Sequence, residues 1–73
     1  MDQSGEKIKK LLKKKLKPAR EEKNMTQAEV AKRAGISANY YARVERGDPN
    51  PRSNVVKEIL RVLDIDPSEI FSS

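Results

Sequence analysis

The stretch "MTQAEVAKRAGISANYYARVERG", Met25–Gly47, decides the fold, because it carries its own start and stop signals. Thr26 followed three residues later by Glu29 has the pattern of a capping box. In that motif each side chain satisfies the other residue's exposed backbone N–H, which sets a helix start at Thr26. Val30, Ala31 and Ala34 supply an inner face at helical spacing, and Gly35 supplies a left-handed stop. The two alanines let another helix approach closely. Ile36 fills the turn and Ser37 offers a second N-cap. The next helix runs from Ala38 to about Arg46, buries Tyr41 and Val44, and ends at Gly47.

Downstream, "GDPNPRSN" (Gly47–Asn54) reads as a loop by its Gly, Pro and Asn content. Ser53 is the expected cap of a fourth helix that turns Val56, Ile59, Leu60 and Leu63 inward. Asp66, Pro67 and Glu69 read as a cap, a first-turn proline and a capping-box acid, opening a short last helix with Ile70 and Phe71. Upstream, "KIKKLLKKKLKP" (Lys7–Pro18) holds seven lysines and four large aliphatic residues. Ile8, Leu11, Leu12, Leu16 and Ala19 share an arc of roughly 140° on a helix. Lys15 points into that arc and must carry its ammonium out to water. Pro18 removes a backbone hydrogen bond at a cost of about 3 kcal/mol. Either one kinked helix or two helical pieces are expected there. Met1–Gly5 reads as a disordered tip with helix beginning near Ser4. Nothing reads as a strand, so the expected class is all-α with five helices.

Composition narrows the function. The chain has 73 residues, enough for one small domain. It contains no Cys and no His, which removes disulfides, thiolate metal sites and the commonest general base. No enzyme activity, cofactor or metal is expected. No apolar run approaches the twenty or so residues of a membrane span, so a cytoplasmic protein with no membrane partner is expected. Residues 1–25 hold nine Lys/Arg against four Asp/Glu, whereas residues 26–73 hold seven of each. The whole excess of positive charge therefore lies at the N-terminal end, where an anionic partner would be met.

Two short helices joined by a tight Gly-centred turn make a helix-turn-helix arrangement. The quoted stretch, a proline four residues after Gly47 and the closing "VLDIDPSEIF" resemble the phage-repressor/Cro (xenobiotic-response-element) helix-turn-helix family. The resemblance runs from about Leu11 to Phe71. It implies a five-helix, lambda-repressor-like DNA-binding domain over residues 11–73, with residues 1–10 as a basic extension. It also implies double-stranded DNA as partner and Ala38, Asn39 and Arg43 as base-reading residues. Asn39 suits adenine, Arg43 guanine, and the Ala38 methyl suits thymine. Gln27, Thr26 and Tyr40 are the implied phosphate contacts. Plainer readings stay open: Gln27 as a solvated helix-start residue, Arg43 as a phosphate contact only, and Tyr40 as a packing residue. Arg20 and Glu45 are implied as a partly buried ion pair. Tyr41 stands where the family usually has Ile or Val, and it reads as a core residue whose hydroxyl must reach solvent or a partner.

For the lysines, three readings stay open: Lys7, Lys9 and Lys10 reinforce DNA binding through phosphates, they form a solvated face, or they meet a membrane surface or RNA. The expected function is sequence-specific DNA binding by a small transcriptional regulator acting as a homodimer. Val62, Ile65, Ile70 and Phe71 are candidates for the dimer surface, with simple core as the alternative, above all for Ile65 and Phe71. The alternative is a protein-interaction module, such as an antitoxin or coactivator adaptor, in which a protein partner matters more than DNA. No small-molecule ligand is suggested.

Overall fold

The computed structural model describes residues 4–71, which form five α-helices in the order α1 (Ser4–Glu22), α2 (Gln27–Ala34), α3 (Ala38–Arg46), α4 (Ser53–Leu63) and α5 (Ser68–Phe71). There is no strand among the described residues. Met1–Gln3 of the expected disordered tip lie outside the described residues, while Ser4 and Gly5 are already helical. α1 passes through Pro18 as one helix, so the two-piece alternative does not occur. Pro18 is on the exposed side, where the carbonyl it leaves without a partner can meet water. No helix among the described residues is long and apolar enough to cross a membrane.

The local signals act as their chemistry requires. The Glu29 N–H donates to Thr26 Oγ1 at 3.0 Å, and the Thr26 N–H donates to Glu29 Oε1 at 2.7 Å. Glu29 is thereby held below the usual carboxylate range, first by the Thr26 backbone and then by its hydroxyl. The Tyr40 N–H donates to Ser37 Oγ at 3.0 Å, starting α3. Gly35 and Gly47 close α2 and α3 in the left-handed region, each at φ 77°. α1 and α4 end without glycine, on Asn24 at φ 55° and Asp64 at φ 56°. Short polar side chains tolerate that conformation better than most others.

Two expected helix starts are corrected. Ser53 is not the cap of α4: Arg52 occupies the N-cap position in extended backbone and makes no side-chain cap bond, so Ser53 is already in the first turn. α5 begins only at Ser68, which shifts Glu69 out of the capping-box position. Its carboxylate meets Lys15 Nζ at 3.1 Å instead, and Asp66 Oδ1 accepts the Ser68 N–H at 3.0 Å.

The core is assembled from every helix: Leu12 and Leu16 of α1, Val30 and Ala31 of α2, Tyr41 and Val44 of α3, and Val56, Ile59, Leu60 and Leu63 of α4. Ile65 and Ile70 complete it from the C-terminal side. Leu11 sits only half-buried at its edge. α2 packs against α3 and α4, and α1 packs across α3 and α5. This arrangement fixes the α2–turn–α3 unit from behind and leaves its front open.

Candidate nucleic-acid interface

The interface is built on α3, whose inner face is clamped and whose outer face is free. Tyr41 and Val44 are buried, whereas Ala38, Asn39 and Arg43 are exposed. Asn39 and Arg43 stand four residues apart, one above the other on the same helical face. Neither side chain is engaged in a hydrogen bond or ion pair among the described residues. Tyr40 is half-buried and packs against the core's edge. Thr26, at the start of α2, is exposed, and its hydroxyl accepts the capping bond, which leaves its own proton available.

Gln27 is less free. Its Nε2 donates to Glu45 Oε1 at 3.0 Å, which ties the opening residue of α2 to the end of α3. Because a carboxylate only accepts, the amide must present nitrogen inward; its oxygen and second N–H remain for other partners. Glu45 is the hub of this cluster. Arg20 Nε lies 2.6 Å from Glu45 Oε2 and Nη2 lies 3.3 Å from Oε1, with the two side chains 12% and 6% exposed. Arg20 Nη1 also donates to the Met25 carbonyl at 3.0 Å, pinning the end of α1 to the start of the motif. The Tyr41 hydroxyl donates to Glu45 Oε2 at 2.7 Å.

The charge states follow from this geometry. Burial pulls the Glu45 pKa upward, but hydrogen bonds from Arg20, Tyr41 and Gln27 outweigh it and hold the carboxyl below its ordinary value. Burial, then the bond to Glu45, pushes the Tyr41 phenol far upward, so it stays protonated and keeps the proton it donates to Glu45. The hydrogen bond to Glu45 raises Arg20 further. Among the described residues, no buried side-chain polar atom lacks a partner. The role of Tyr41 here was not drawn from the sequence, although its spacing of four residues from Glu45 on one helix was a usable signal.

Lys7, Lys9 and Lys10 stand on α1 itself, on the same continuous helix as the core leucines. Lys7 and Lys10 are exposed, and Lys9 Nζ lies 3.4 Å from Glu6 Oε2. Beyond them, α1 lies close along the end of α3: a Cβ on Gly47 would stand 3.6 Å from both Lys13 Cβ and the Lys9 carbonyl. Of the residues considered for a dimer surface, Ile65 and Ile70 are core residues and are withdrawn from it, 9% and 2% exposed. Val62 and Phe71 remain half-buried at the edge.

Two capped helices, a left-handed glycine turn and an outward-facing second helix braced by an internal ion pair define a helix-turn-helix DNA-binding domain. Residues 16–70 match the helix-turn-helix family model, and the chain belongs to that family, of the Cro/C1 type. Its members are, broadly, DNA-binding regulators of transcription. No curated protein and no solved structure matches the chain significantly.

Proposed function

We propose that the protein binds double-stranded DNA sequence-specifically as a small cytoplasmic transcriptional regulator, with α3 in the major groove. The observation that carries this reading is the pair Asn39 and Arg43: exposed, on one face, and not engaged by any described residue. Their amide and guanidinium have the donor and acceptor patterns that pair bidentately with adenine and guanine. The Ala38 methyl beside them suits a thymine methyl. Thr26, Gln27 and Tyr40 hold the phosphates flanking α3, and Lys7, Lys9 and Lys10 add phosphate contacts from α1.

One module reads few bases, so the working form is a homodimer on a palindrome, with half-sites about one helical turn apart. Val62 and Phe71 are its remaining apolar surface candidates. Selection from a random duplex library at near-physiological salt tests the reading. An enriched palindrome of fixed spacing supports it. Binding without enrichment would reduce α3 to a non-specific contact and favour a protein partner.

A further inference from the structure

The face of α1 turned toward the end of α3 carries Glu6, Lys9, Lys10, Lys13, Lys17 and Arg20, a single stripe at helical spacing. With Arg46, Gly47 and Asp48 from the end of α3, it lines two adjoining hollows that share Lys13 and Arg46; the inner one, the groove proper, also reaches Gln27 at the start of α2. Three ion pairs account for much of the charge there. Lys9 is paired with Glu6 at 3.4 Å, Arg20 with Glu45 at 2.6 Å, and Arg46 with Asp48 at 3.2 Å. Lys10, Lys13 and Lys17 have no carboxylate partner among the described residues. They stand at intervals of three and four residues, so their ammonium groups line one wall over about 10 Å of helix.

We infer that this groove holds a second segment of the sugar-phosphate backbone of the bound duplex, with Lys13 and Lys17 as its phosphate-binding residues and Lys10 at its outer end. The inference rests on the proposed function and deepens it, because Lys13 and Lys17 lie outside the residues expected to meet DNA. Two features select this occupant. The groove's unbalanced charge is positive and arranged as a row, matching a polyanion with one phosphate per 3.4 Å of rise on each strand. It also opens at Gln27, so a strand held at the start of α2 continues into it without leaving the protein. The ion pairs engage Glu6, Glu45 and Asp48 with Lys9, Arg20 and Arg46, which keeps these carboxylates from competing for the three free ammonium groups. Lys10 and Lys13 precede residue 16, where the family match begins.

The test is the salt dependence of affinity for a duplex that the parent binds. Each phosphate neutralised contributes about 0.9 to the slope of log affinity against log salt. Lys13→Gln/Lys17→Gln is expected to reduce the slope by about 2 while the preferred sequence stays the same. Lys14→Gln/Lys57→Gln, on exposed positions away from the groove, is expected to change it by less than about half a unit, since those residues release no counterions. If the groove variant keeps the parent's slope, or if both variants lower it equally, the groove is not a phosphate site and the inference alone falls. If the parent itself binds no duplex, the inference falls together with the proposed function. Both variants retain the first two methylenes of each side chain, and equal melting temperatures confirm that fold is not what is being measured.

Discussion

Charge is used in two opposite ways along one face of α1. Around Arg20, the buried polar groups are turned inward and paired: Glu45 alone receives bonds from Arg20, Tyr41 and Gln27. Along Lys10, Lys13 and Lys17, and at Arg43 on α3, the charges face outward without a carboxylate partner among the described residues. The first arrangement resists change, because losing one partner strands a charge in a poorly solvated place. The second costs the fold almost nothing to alter, because water already solvates each group. Stability and binding are therefore separable by residue in this chain, although Arg20 and Lys17 are less than one helical turn apart.

The strongest way to break that contrast is Glu45→Gln. It leaves the Arg20 guanidinium without its counter-charge at a site where both side chains are nearly buried. A loss of about 3 kcal/mol is expected. For a domain of this size that lowers the melting temperature by more than about 10 °C, read by circular dichroism. A variant melting with the parent would place the pair among ordinary surface contacts.

Arg43→Ala sharpens the contrast from the other side. Affinity for the selected operator should fall by about 1–3 kcal/mol, with preference relaxed at one base pair. Melting should stay within about 0.5 kcal/mol of the parent, as for an exposed position without partners. An affinity loss equal on every sequence would make Arg43 a phosphate contact instead.

Tyr41→Phe is expected to cost about 1.5 kcal/mol, the order of a hydrogen bond to a charged acceptor. Its effect should shrink in the Glu45→Gln background, which a double-mutant cycle measures. The pH dependence follows from the depressed Glu45 pKa. Its stabilisation is complete above the unfolded carboxylate value of about 4.3 and is lost as pH falls through the lower folded value. Acid titration of stability should therefore be steeper below about pH 4 in the parent than in Glu45→Gln. Glu29, Asp64 and Asp66 are also depressed and titrate in the same window in both proteins, so the difference isolates Glu45. The smallest effect belongs to Lys15→Gln, which removes an exposed bridge to Glu69 and should change stability by no more than about 0.5 kcal/mol.

Much of this molecule was legible because its signals are local. The Thr26–Glu29 box, the Ser37 cap and the two stopping glycines act within four or five residues, so α2 and α3 could be bounded from the chain alone. Ala38, Asn39 and Arg43 followed from the family resemblance carried over position by position, and Tyr41 and Val44 from the inward face of α3. Where two adjacent residues compete for one role, the pattern was insufficient. Arg52 and Ser53 could each take the extended backbone of an N-cap, and Ser53, the better capping residue, lost. Glu69 was read as a capping acid because nothing local revealed Lys15, 54 positions away in the chain but 3.1 Å away in space.

The sequence by itself determined the helical class, the turn between α2 and α3, the outward-facing residues of α3 and the concentration of positive charge before residue 26. These depend on propensities and spacings whose reach is one or two helical turns. Only the tertiary structure decided that Tyr41 and Gln27 would both bond to Glu45, that Ile65 and Ile70 would be spent on the core, and that Lys13 and Lys17 would face Arg46 across a groove. Those outcomes depend on how α1 lies across the end of α3, and that crossing is set by the packing of Leu12 and Leu16 against side chains distant in sequence.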